Sequence, residues 1–218
     1  LATWIAHLRV AENLINRGFN FKVEPFTVGN IGPDAGVPNE DYSEFTPSPN
    51  ITHWKEDKVI KPENFREKYL DKVMNKVSTD KYAFYLGYYV HLLTDVKWME
   101  FFQYKKEDSL HREGFERDKD FIWVIKKDWY GLDFLYLDKN PESIFFTCFK
   151  NVTDVPDYLD YYPKGAFTKK VKYISDYYLG ENEETKENFI YLKEKEMDKF
   201  IKEASDSIYN RLKEIGIE

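Results

Sequence analysis

A lone cysteine, Cys148, excludes any intrachain disulfide, so packing alone must hold the fold together. One cysteine fits the reducing cytosol and favours a cytoplasmic protein. Secretion stays open, because residue 1 is Leu rather than Met and a removed signal peptide would leave the same sequence. Long apolar runs are also missing. No segment reaches the about 20 apolar residues that cross a bilayer, so no transmembrane segment is expected. Sustained strand alternation, internal repeats and low-complexity tracts are absent as well. There is no basic stripe: 39 acidic against 32 basic residues leave a net charge of −7. That balance argues against an extended nucleic-acid surface and says nothing of a local cationic or metal-lined cleft. Histidine is scarce, with only His7, His53, His91 and His111, which makes each one worth placing.

Aromatic residues are plentiful at 18%, enough for a sizeable core and an aromatic-lined cleft. The 218 residues show no linker-like break, so a single all-α, multi-helix domain over 1–218 is expected, with long Gly/Pro-rich loops. Residues 3–17 read as an amphipathic helix capped by Thr3 and followed by Gly18. Its stripe of His7, Val10, Ala11 and Leu14 points to the core. Residues 19–52 are rich in Gly, Pro, Asn and Asp and read as one long irregular loop, which in a compact domain is usually functional or disordered. Asp34 lies in a tight turn within it, and His53 closes it. A helix is expected over 62–76, with Pro62 in its first turn. The central helix, about 81–104, can be capped from Ser78-Thr79-Asp80. The charged stretch 105–120, containing His111, reads as a solvated loop or frayed helix start. An apolar run over 121–137 holds the isolated acids Asp128 and Asp133. A short helix from Pro141 to Lys150 and a packed loop over 151–165 come next. Helices near 165–179 and 185–214 finish the chain.

Residues 82–99 organise the rest. Within this apolar and aromatic stretch, His91 and Asp95 stand four apart and so share one helical face. A carboxylate there must be paired, protonated or bound to a metal. With His7, Asp34 and His53, the candidate ligands are three imidazoles and two carboxylates. That donor set suits zinc, though other divalent transition metals accept it too.

The run Ala83-Phe84-Tyr85-Leu86-Gly87-Tyr88-Tyr89-Val90-His91-Leu92-Leu93-Thr94-Asp95-Val96 resembles the central helix of the bacterial zinc-dependent phospholipases C. The segment from His7 to Ile15 resembles that family's first helix, and the Asp34 loop and Thr52-His53-Trp54 fall between them in matching order. The resemblance spans residues 3–99. It implies an all-α fold, a cluster of zinc ions and a shared ancestry with single-strand-specific zinc nucleases. It further implies that Asp34, His53, His91 and Asp95 surround one zinc and that His7 holds a second, bridged by Asp95. Asp34 would orient or deprotonate the attacking water. The chain departs from the pattern in two respects. The family uses a mature N-terminal amine beside its first histidine, and here six residues precede His7. The family also carries H-x-x-x-E and a further histidine after the central helix, where this chain offers only His111, Asp128 and Asp133. The expected activity is metal-dependent hydrolysis of a small-molecule or lipid phosphoester. The alternatives are a single-strand nuclease-type phosphodiesterase and a non-catalytic structural metal-binding module. The sequence leaves the oligomeric state open.

Overall fold

The computed structural model describes residues 1–76, 79–181 and 186–217. Helix dominates, and the all-α expectation holds. The axis of the molecule is α5, Asp80–Lys106, 27 residues and therefore about 40 Å long. Thr79 caps it, its hydroxyl accepting the Tyr82 N–H at 3.2 Å. From Tyr82 to Leu92 every residue is buried, so this half of the helix is enclosed on all sides rather than amphipathic. The other helices pack around it. They are α1 (Trp4–Ile15), α2 (Val23–Gly29), α3 (Pro49–Thr52), α4 (Pro62–Phe65), α6 (Ser109–Arg117), α7 (Phe121–Lys139), α8 (Ile144–Thr147), α9 (Ala166–Leu179) and α10 (Glu194–Glu214). Their buried apolar residues form one continuous cluster.

Local chemistry explains most of these elements. The Thr3 hydroxyl accepts the Ala6 N–H at the start of α1. The α10 helix buries Met197, Phe200, Ile201, Ala204, Ile208 and Leu212 at helical spacing against α1 and α5. The Glu196 carboxylate accepts the Lys193 N–H at 2.8 Å and closes the first turn of α10.

The structure departs from the sequence reading in four places. First, residues 19–52 are not one loop. Residues 23–29 form α2, which lies directly across α5. The glycines that signalled a loop instead allow two backbones to touch. A Cβ on Gly29 would stand 2.0 Å from the Phe84 carbonyl oxygen, and one on Gly87 would stand 2.1 Å from the Phe26 carbonyl oxygen. Backbone cannot yield as a side-chain tip can. Gly87→Ala is therefore expected to destabilise the fold by about 3 kcal/mol or more, read as a lower midpoint in denaturant unfolding. Second, the 62–76 segment is helical but irregular, with a π turn over Arg66–Leu70 and a 3-10 turn over Asp71–Lys76. Third, 105–120 contains α6, and His111 is buried there against Tyr191 and Phe102 rather than solvated. Fourth, α10 begins at Glu194 instead of 185. Part of that stretch lies outside the described residues, and the N–H groups of Ile190, Tyr191 and Leu192 turn aside to the Asp128 carboxylate.

The only strands among the described residues are two short antiparallel pairs. Val37–Pro38 (β1) pairs with Phe45–Thr46 (β2), and Lys55–Glu56 (β3) pairs with Val59–Ile60 (β4). Asp57 and Lys58 both have positive φ, as a two-residue I′ hairpin requires. The first hairpin begins at Val37, shortly after Asp34, and the second at Lys55, shortly after His53.

Candidate metal centre

Five side chains from four segments converge on one cluster. His91 and Asp95 come from α5, one turn apart on its enclosed face. His7 comes from the apolar stripe of α1. Asp34 ends a 3-10 turn, Gly32–Asp34, set by Pro33. His53 caps the C-terminus of α3. All five candidate residues named from the sequence are thus brought together. His7, His91 and Asp95 are inaccessible to solvent, and the Asp34 side chain alone is appreciably exposed, at 19%.

The geometry is that of electron-pair donors facing inward. Asp95 turns its two oxygens to different partners: Oδ1 lies 3.3 Å from His7 Nε2, while Oδ2 lies 3.2 Å from His91 Nε2 and 3.5 Å from His53 Nε2. The Ala2 N–H donates to Oδ1 at 2.9 Å and fixes the carboxylate plane. Asp34 Oδ1 stands 3.4 Å from His53 Nε2. The His7 and His91 rings stack at 3.7 Å, nearly parallel. Two triads have ligand atoms within 4.8 Å of one another: His7, His91 and Asp95, and Asp34, His53 and His91.

Backbone carbonyls decide which ring nitrogens face the centre. His91 Nδ1 meets the Asn30 carbonyl at 2.8 Å, and His53 Nδ1 meets the Pro49 carbonyl at 3.1 Å. A nitrogen facing a carbonyl is placed to carry the proton, which leaves the His91 Nε2 lone pair inward; His53 Nδ1 also meets the Thr52 hydroxyl at 3.0 Å, and its Nε2 faces inward. Those two Nε2 atoms face each other at 3.4 Å, beside the Asp95 carboxylate. Acceptors so arranged repel unless a cation joins them. His7 Nδ1 and Nε2 and Asp95 Oδ2 are buried without a hydrogen-bond partner. An orphan of that kind costs about 1–3 kcal/mol, more when charged.

Electrostatics act differently on the two stacked histidines. Burial, reinforced by the neighbouring His91 charge, lowers the His7 pKa to about 4, so this imidazole is neutral. Burial also opposes an imidazolium at His91, but the Asp95 carboxylate outweighs it and the pKa rises. Burial works against ionised Asp34 and Asp95. The contact with His53 nevertheless holds Asp34 well below the usual carboxylate range, and the neighbouring His91 and His7 imidazoles do the same for Asp95. A single proton on His91 would satisfy one contact and leave His7 orphaned. Each of the two triads could hold a divalent ion, and the nitrogen and oxygen set fits zinc.

No known protein family, no curated protein and no solved structure matches this chain. Its own donor atoms therefore carry the functional reading.

The other three candidates stand apart from this cluster. His111 packs among aromatic rings at the far end of α5. Asp128 accepts the N–H groups ahead of α10. Asp133 accepts hydroxyls from Thr3 at 2.7 Å and Tyr178 at 2.6 Å, and burial raises its pKa to about 7 despite both. None of them belongs to a metal-competent group among the described residues.

Supporting residues went unnoticed in the sequence. Asn30 and Pro49 act through backbone oxygens, which no side-chain pattern reveals. Tyr88 donates to the Thr52 carbonyl and meets the Tyr162 hydroxyl at 2.9 Å, while Tyr162 donates to the Gly32 carbonyl at 3.0 Å. This tyrosine pair ties the His53 and Asp34 turns to α5. The aromatic density of 151–165 was the available signal for it.

Asp34 and His53 open into a cleft of about 210 Å³, lined also by Trp4, Phe45, Pro49 and Lys170. The cluster is thus closed on its α5 side and reachable on its Asp34 side.

Proposed function

We propose that this chain is a metal-dependent hydrolase of phosphoester bonds, with zinc as the metal that best suits its ligands. The observation that carries the reading is the convergence of His7, His53, His91, Asp34 and Asp95, with inward lone pairs, at the floor of a cleft. The resemblance of residues 3–99 to the zinc-dependent phospholipases C supports phosphoesters as the bond class. A structural site is closed, whereas a catalytic one keeps an open position. The exposure of Asp34 into the cleft favours catalysis over a structural role.

When bound, a divalent ion supplies Lewis acidity and a water acidic enough to attack near neutral pH. The chain's residues supply the rest. His7, His53 and His91 hold ring nitrogens in place toward the cluster. Asp95 offers one oxygen to each side of the cluster. Asp34, ionised and at the cleft, is placed to accept the proton that the attacking water gives up, while burial of the inner face excludes bulk solvent.

The test is hydrolysis of bis(p-nitrophenyl) phosphate by zinc-loaded protein, beside the variant Asp34→Asn. In the variant, turnover per bound metal is expected to fall about 100-fold or more, the scale of a lost general base, with metal content measured alongside because Asp34 is also a candidate ligand. Metal-loaded protein that cleaves neither this diester, nor a phospholipid, nor a single-stranded oligonucleotide, nor the monoester p-nitrophenyl phosphate would sink the proposal. Cleavage of the oligonucleotide alone would place the chain with nuclease-type phosphodiesterases.

A further inference from the structure

The chain is acidic overall, with a net charge of −7, yet the approach to the cluster has the opposite sign. The cleft at Asp34 adjoins a second depression of about 290 Å³, and the two share Trp4, Gly36, Phe45 and Lys170. Asp34 is the one carboxylate among their lining residues, whereas Lys169 and Lys170 bring ammonium groups. The second depression is otherwise apolar, with Val37, Tyr42 and Tyr173 on its walls.

Lys170 stands at the junction. It is half-buried on α9, and its Nζ lies 5.1 Å from the centre of the Trp4 ring and 5.3 Å from that of Tyr173. Among the described residues no carboxylate reaches ion-pair distance from it. Burial lowers its pKa and the Asp34 charge partly restores it, so the two groups sense each other across the cleft. Lys126 on α7, also half-buried, is lowered by burial and coupled to Asp34 in the same way. An ammonium partly stripped of water and lacking an anionic partner is unfavourable by itself. Apart from Asp34, the charged side chains that line the two depressions are lysines.

We propose that Lys170 is an anion clamp: it takes a second negative charge of the substrate while the phosphorus sits over Asp34 and His53. The apolar depression beside Trp4 and Tyr173 takes the organic substituent. The substrate class is then an organic phosphate bearing two negative charges and an apolar group, rather than an ester with a cationic headgroup. This assignment rests on the hydrolase reading for what happens at the cluster, but it concerns binding.

Isothermal titration of the zinc-loaded full chain separates the two questions. The probes are phenylphosphonate, a dianion at pH 8.5, and its monomethyl ester, a monoanion with the same ring. Neither contains the phosphoric ester bond that the hydrolase reading assigns. Lys170→Gln is expected to weaken phenylphosphonate binding about tenfold or more and the monoester about threefold or less, as loss of one charge-assisted contact implies. Lys170→Arg keeps the preference, and zinc content is the same in all three proteins. Equal weakening of both probes, no weakening, loss of zinc in Lys170→Gln, or failure of the wild type to bind phenylphosphonate overturns the clamp. A dianion preference that depends on Lys170, in a protein that hydrolyses nothing, overturns the hydrolase reading alone.

Discussion

Asp95→Asn is expected to release the metal while leaving the fold standing. Asparagine has the same shape and can still accept the Ala2 N–H that Asp95 Oδ1 accepts. What changes is the side facing the histidines. The carboxylate spreads charge over two oxygens, one toward His7 and one toward His91 and His53. An amide brings no charge and must turn its NH2 toward one of those directions. That NH2 would hydrogen-bond an inward Nε2 and occupy the lone pair a cation needs. Metal affinity should fall by roughly 100-fold or more, since even outer-shell changes cost about 10–100-fold. Metal content after dialysis and circular dichroism of the same sample check the two halves together. A folded Asp95→Asn protein that keeps its full metal content would falsify the assignment of Asp95 as a ligand.

Chelation is expected to lower the melting temperature sharply. The cluster buries His7, His91 and Asp95 completely, with three polar atoms lacking partners. A ligand that binds only the folded state stabilises it by mass action, about 4 kcal/mol at a thousand times the dissociation constant. For a domain of this size each kcal/mol moves the midpoint by about 2–4 °C. A drop of about 8–16 °C on adding chelator should follow, restored by returning zinc. The Asp95→Asn protein serves as the control: its melting temperature should be insensitive to chelator. Equal sensitivity in the two proteins would mean that the chelator acts elsewhere.

Legibility in the sequence followed the range of the interaction. Thr3 and Thr79 cap their helices as the local pattern indicates, because a cap is decided within three residues. His91 and Asp95 share a face of α5 because four residues make about one turn. The other ligands were legible by residue type. His7 stood on an apolar stripe, His53 closed a loop, and Asp34 lay in a turn fixed by Pro33. The misreadings have a common origin. Gly29 signals a break until α5 is laid across it, and then its missing side chain is what lets α2 pack as a helix. His111 looked solvated in a charged run until Phe102 and Tyr191 closed over it.

The sequence by itself determined the helical class, the enclosed helix at its centre, and a short set of imidazoles and carboxylates able to share an ion. These follow from spacing and composition, which act over a few residues. Only the tertiary structure decided that the Asn30 and Pro49 carbonyls turn two Nε2 atoms inward and that Asp95 faces both sides. It alone decided that Asp128 and Asp133 serve α10 and α1 instead, and that Lys169 and Lys170 line the approach to the cluster of an acidic chain. Those arrangements depend on where distant segments cross, and a net charge or a local pattern carries no information about which groups end up face to face.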